Sequence, residues 1–172
     1  RLSDDLPPAR RNEARGPFRT ATSRVLRSPM GPTRIFQAIR GGGYGDVTKT
    51  HLAWSLNNRA PSNLSSPIVF GNQLLVVKRG GIASSFDATS GKSHWETKRI
   101  QNLGEYYASP VAGDGKIYVT GENGFVVVLA PGPELKILAK NDMGGTCIAT
   151  PAIADGRLFV RTREKLICVE EK

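Results

Sequence analysis

From residue 67 onward the chain reads as short apolar runs cut by polar turn pairs. Three stretches share one pattern: Ser66-Pro67-Ile68-Val69-Phe70-Gly71-Asn72-Gln73-Leu74-Leu75-Val76, Ser109-Pro110-Val111-Ala112-Gly113-Asp114-Gly115-Lys116-Ile117-Tyr118-Val119, and Thr150-Pro151-Ala152-Ile153-Ala154-Asp155-Gly156-Arg157-Leu158-Phe159-Val160. Asp-Gly between two strand-like runs is a strong hairpin signal, because a tight two-residue turn needs φ > 0 at its centre. Asp114-Gly115 and Asp155-Gly156 are such pairs, and Gly71-Asn72 takes their place in the first stretch. Pro67, Pro110 and Pro151 lie 43 and then 41 residues apart. A repeat near forty residues is that of a four-stranded propeller blade.

The apolar runs fill out each unit. Strands are predicted near 67–70, 73–78, 82–87 and 93–97, then near 110–112, 116–120, 124–129 and 135–139, then near 151–153, 157–161 and 165–169. The last unit lacks its fourth strand. A fourth strand of a preceding unit is predicted at 51–55, and its Trp54 precedes Pro67 by 13 residues, as Trp95 precedes Pro110 by 15. Leu138 holds that place in the next unit. A tryptophan recurring on the outer strand is a packing device for the seam between neighbouring sheets, with an indole N–H that needs one partner. The fold class expected is all-β: a partial β-propeller of about two and a half four-stranded antiparallel blades, after an irregular N-terminal segment.

The stretch Phe86-Asp87-Ala88-Thr89-Ser90-Gly91-Lys92-Ser93-His94-Trp95 decides between a turn and a catalytic loop. Asp87 can accept backbone N–H bonds two residues on, and Gly91 can take φ > 0. Gly91-Lys92-Ser93 has the end of a phosphate loop but neither the earlier glycine nor a following helix. The turn reading therefore wins. The same stretch resembles the tryptophan-docking repeat of the pyrroloquinoline-quinone (PQQ) type β-propellers, in which Leu/Phe-Asp-Ala-x-[ST]-Gly-Lys-x-x-Trp recurs. The Ser-Pro…Asp-Gly-Lys-Ile-Tyr-Val start at residues 109–119 is similar to that family as well. The resemblance spans about residues 46–172. In the second unit Ala130-Pro131-Gly132-Pro133 replaces the Asp-Ala-x-Thr-Gly run, and no tryptophan follows, which weakens docking there.

Composition divides the chain. The first 40 residues hold nine Arg and no Lys, and residues 1–50 supply +6 of the formal net charge of +9. An arginine-rich arm suits nucleic acid or an anionic membrane. With no strand or helix period beside it, residues 1–45 are expected to be an irregular, disordered lead-in, and no nucleic-acid partner is expected. Gly41–Gly45 is expected to be a connector. Residues 46–172 are expected to be blades that need upstream blades to close a ring, with 165–169 as an open edge. No stretch approaches the roughly 18 apolar residues of a membrane span. Cys147 and Cys168 form one bridge or stand as two small buried thiols.

Candidate chemistry is sparse. Asp87, Asp114 and Asp155 lie in predicted turns, and Glu96, Glu105, Glu122 and Glu134 at strand edges or loops. His51 and His94 belong to different units and read as solvated or edge residues. Asn63-Leu64-Ser65 is a formal glycosylation triplet in a loop. No catalytic, cofactor-binding or metal residue is assigned. The residues singled out are structural: Trp54, Pro67, Asp87, Gly91, Trp95, Pro110, Asp114, Gly115, Pro151, Asp155 and Gly156. The resemblance implies an exported, non-catalytic scaffold in the periplasm or at the cell surface that binds other proteins, or missing upstream blades. It also leaves two alternatives. One is the end of a quinone-dependent sugar or alcohol dehydrogenase, which would bring PQQ and Ca²⁺. The other is a propeller attached to a Ser/Thr protein kinase.

Overall fold

The structure, a computed structural model, describes residues 20–28, 31–42, 44–47, 49–57, 64–100 and 104–170, with side chains from Phe36 onward except Asn57. Alternating and apolar runs form antiparallel strands throughout. The first sheet contains β1 (Thr20–Ser28), β2 (Gly31–Ile39) and β3 (Leu52–Asn57), in that order. The second has four strands in chain order: β4 (Ile68–Phe70), β5 (Gln73–Lys78), β6 (Ile82–Asp87) and β7 (Ser93–Arg99). The third repeats this with β8 (Val111–Gly113), β9 (Lys116–Thr120), β10 (Phe125–Ala130) and β11 (Lys136–Asp142). The fourth has β12 (Ala152–Ala154), β13 (Arg157–Arg161) and β14 (Leu166–Glu170). The expected strands from residue 67 on are all present, within a few residues of the predicted bounds.

The region before residue 46 differs from expectation. Residues 20–39 carry β1 and β2 rather than irregular chain, paired from Thr20↔Ile39 to Ser28↔Gly31. The strand at 52–57 is therefore the third of a sheet, not a lone leading strand. The physical reason is visible in β2. Phe36 and Ala38 are buried in a cluster with Leu74, Val76 and Phe86 of the second sheet, so partner burial stabilises a segment whose own alternation is short. Residues 1–19 lie outside the described residues.

Period-2 alternation sends each sheet's two faces to opposite neighbours. In the second sheet Leu74, Val76 and Phe86 face the first sheet, while Leu75, Val77, Ala83 and Trp95 face the third. In the third, Ile117, Val119, Val127 and Leu129 face back, and Val126 faces the fourth with Leu158 and Val160. The core is thus three seams between sheets, as stacked repeats require. The innermost strands β4, β8 and β12 run beside one another. Among the described residues β14 pairs with β13 alone, and Leu166 on it is 69% exposed.

Candidate functional site

The turn after β6 shows how one seam is made. Asp87 Oδ1 accepts from the Thr89 N–H at 3.0 Å, the Ser90 N–H at 2.7 Å and the Ser90 hydroxyl at 2.8 Å. The Asn72 amide also donates to Oδ2. The Ser90 hydroxyl, aided by the backbone donors and Asn72 and opposed by partial desolvation, holds the Asp87 carboxyl below its ordinary value. The turn closes with Gly91 N–H on Asp87 C=O at 2.8 Å, and Gly91 sits at φ 72°. Onto this turn lies Trp54 of the first sheet. Its indole N–H donates to Ala88 C=O at 2.9 Å. A Cβ on Gly91 would stand 2.7 Å from Trp54 Cδ2, so the ring rests where only glycine leaves room. Phe36 meets Trp54 edge-on at 5.7 Å between centroids.

The next seam has the same plan and different fastening. Trp95 is 6% exposed, packed among Leu75, Val77, Ile100, Tyr106, Val127 and Leu129. Its indole N–H has no hydrogen-bond partner among the described residues. Ala130-Pro131-Gly132-Pro133 stands where the Asp87 turn stands in the sheet before. A different bond ties it: Gly132 N–H donates to Gln73 Oε1 at 2.8 Å, and Gln73 Nε2 donates to Ser85 Oγ at 2.9 Å. Nearby, the Tyr106 hydroxyl donates to Ile100 C=O at 3.0 Å, and burial pushes the phenol well above its usual range. In the third seam Leu138, at the position of the two tryptophans, is 46% exposed.

The other expected residues are turn and strand-start positions. Asp114 and Gly115 (φ 50° and 66°) and Asp155 and Gly156 (φ 49° and 71°) have the two positive φ values of a tight hairpin turn. At 71–72 only Gly71 is positive. Pro67, Pro110 and Pro151 each precede an inner strand. The residues before them, unassigned from sequence, form a chain of bonds between sheets: Ser66 N–H donates to Ser109 Oγ at 2.9 Å, and Ser109 N–H to Thr150 Oγ1 at 3.0 Å. The recurring Ser or Thr before each proline was the available signal.

Both cysteines are free. Cys147 is buried, and burial raises its thiol, with Glu164 adding to the effect; Cys168 is exposed, so only one of the two is a buried thiol. His94 is exposed and half-buried His51 has Thr50 Oγ1 at 2.8 Å from Nδ1. Among the described residues no three His, Cys, Asp or Glu side chains gather in a group able to hold a metal. Asn63 lies outside the described residues. No helix among them is long and apolar enough to cross a membrane.

One face collects the loops that enter the inner strands. Leu64, Tyr107 and Ile148 each stand three residues before a repeat proline and are 58%, 37% and 46% exposed. The residues after them turn inward in the first two loops, where Ser65 and Ala108 are buried. Ser65 Oγ donates to Val77 C=O at 3.0 Å, fixing the loop to the second sheet. The exposed positions are therefore set by the repeat.

The family model described as outer membrane protein assembly factor BamB matches residues 81–171. The outer membrane protein assembly factor BamB of Burkholderia pseudomallei (strain K96243) is 32% identical over 98 residues, covering 56% of this chain and 24% of the relative. The chain thus spans about a quarter of that protein's length. The crystal structure of BamB from Moraxella catarrhalis has a TM-score of 0.60 at 17% identity, over 88% of this chain and 47% of that one, and supports the propeller fold. Blade geometry, repeat spacing and the match over residues 81–171 together place this chain in the BamB family of PQQ-like β-propeller repeat proteins.

Proposed function

We propose that the chain contributes blades to a non-catalytic propeller that binds other proteins during outer-membrane assembly, in the periplasm or at the cell surface. The observation that carries this reading is the loop face, where Leu64, Tyr107 and Ile148 are exposed at one repeat position in three successive sheets. Large exposed apolar side chains grouped on a stiff scaffold mark contact surfaces. The amide-to-hydroxyl bonds that link residues 66, 109 and 150 hold the three loops in fixed order beneath them. The relative's name, an outer membrane protein assembly factor, supports envelope proteins rather than nucleic acid as the partner class. No quinone, Ca²⁺ or catalytic carboxylate belongs to this reading. Trp54 and Trp95 act in it as docking residues that keep the sheets in register.

The test uses the whole protein in its own cell. Leu64, Tyr107 and Ile148 are replaced together by serine, and the β-barrel protein content of the outer membrane is measured by quantitative mass spectrometry. A fall in that content at unchanged scaffold abundance is expected. Unchanged content would remove the assembly reading. Dye-linked turnover of the unaltered protein after addition of PQQ and Ca²⁺ would remove the non-catalytic one.

A further inference from the structure

The third seam holds a cavity of about 640 Å³ between the third and fourth sheets. Its apolar lining comes from both: Tyr118, Val126, Val128 and Leu138 on one side, Leu158 and Val169 on the other. Two ion pairs lie in the same lining, Lys116 Nζ to Asp114 Oδ2 at 3.0 Å and Arg157 Nε to Glu170 Oε2 at 3.2 Å. This volume is in the range of small-molecule sites, roughly 300–1,000 Å³, and the mixture of apolar walls with a few polar groups is their usual chemistry.

The repeat says what shape the site takes. The two preceding seams are each filled by an indole from the third residue of the outer strand, Trp54 on β3 and Trp95 on β7. The third residue of β11 is Leu138, which is shorter, not planar and 46% exposed. The wall facing it includes Leu158 on β13 and Val169 on β14, whose counterparts in the third sheet, Ile117 on β9 and Leu129 on β10, pack in the cluster that holds Trp95. We propose that this cavity binds a free planar aromatic molecule of two or three rings, whose ring system occupies the place a tryptophan holds in the other seams. Stacked flat between two sheets, such a molecule touches both and stabilises the docking of the fourth sheet on the third. The polar groups of the ion pairs would meet any substituent at the ring edge.

The probe is N-phenyl-1-naphthylamine, titrated into the full chain by fluorescence, with the thermal midpoint followed in parallel. Saturable binding at one site and a raised midpoint are expected, since a ligand of the folded state stabilises it. Leu138→Trp puts an indole into the cavity, and Val169→Trp fills it from the opposite wall. Each is expected to weaken probe binding by about tenfold or more. Leu166→Ser removes a more exposed apolar side chain that does not line the cavity, and is expected to leave binding unchanged. Probe binding that survives in both filled variants would overturn the proposal. So would binding that falls equally in Leu166→Ser, or the absence of saturable binding in the unaltered chain.

Discussion

The first and second seams are filled by the same residue at the same strand position, and they are held in different ways. Trp54 is half-buried, rests on Gly91 and donates its N–H to Ala88 C=O at 2.9 Å. Trp95 is more deeply buried and its N–H is unbonded among the described residues. The cause is local sequence. Asp87-Ala88-Thr89-Ser90-Gly91 folds a turn whose carbonyl and open glycine face the ring, and Ala130-Pro131-Gly132-Pro133 does not reproduce it. The second seam compensates with more apolar contact and with the Gln73–Gly132 bond. One seam is thus specified by a polar contact and the other by volume. Apolar filling tolerates a degenerate turn, whereas a directed hydrogen bond does not.

Truncation separates the two most sharply. Trp95→Ala is expected to destabilise the second and third sheets by about 3–5 kcal/mol, the cost of emptying a closed core site. Trp54→Ala is expected to cost less, about 2–3 kcal/mol, because part of the ring is already at the surface. Urea unfolding followed by circular dichroism ranks them, and a larger loss at Trp54 would reverse the comparison. Next in size is the glycine contact. Gly91→Ala and Gly115→Ala both place a side chain at positive φ, near 72° and 66°, but only the first meets a ring. The strain common to both is expected to cost about 1 kcal/mol, and the Trp54 clash about 1–2 kcal/mol more. Equal losses in the two variants would mean that the ring gives way freely.

Phenylalanine keeps the apolar body and removes the indole N–H. Trp54→Phe is expected to cost about 1 kcal/mol, whereas Trp95→Phe loses contact area but no hydrogen bond and gains relief from a buried, unpartnered donor, so it is expected to cost less. A thermal melt of each variant provides the ranking. The smallest effect is on pH. The folded Asp87 carboxyl is held low, so its contribution is fully present above the unfolded carboxylate value and lost as pH falls through the lower folded value. Acidification is therefore expected to loosen the Asp87 turn and red-shift Trp54 emission in a Trp95→Phe background. Trp95 emission in a Trp54→Phe background is expected to stay constant over that early part of the titration. Simultaneous shifts in both would point to general unfolding.

Much of this was legible in the sequence because hairpins are short-range objects. Asp114-Gly115 and Asp155-Gly156 announce their turns through backbone preference alone, and the spacing of Pro67, Pro110 and Pro151 reports the repeat. The loss of the Asp87-type turn from the third sheet was also visible in Ala130-Pro131-Gly132-Pro133. What stayed hidden depends on contacts distant in sequence. β1 and β2 carry few alternating apolar residues, and Phe36 and Ala38 identify themselves as core only once the second sheet lies against them. Gln73 reads as an ordinary strand residue until Gly132, 59 positions later, is brought to its side chain. Leu64, Tyr107 and Ile148 gave no signal, since an apolar residue in a loop does not reveal whether it faces inward.

The bonds from Ser66 to Ser109 and from Ser109 to Thr150 bear on how such a chain can change in length over evolution. Ser109 does both: its amide gives a hydrogen bond to the following unit, and its hydroxyl receives one from the preceding unit. A tandem duplication of one whole unit therefore inserts a matched donor and acceptor, and the new neighbours are compatible on arrival. A duplication or deletion that is not a whole number of units puts this residue out of phase with its neighbours and leaves its amide facing a side chain without a hydroxyl. Growth and loss by whole units is then the path of least disruption, and the hydroxyl before each proline is the residue that makes the units interchangeable.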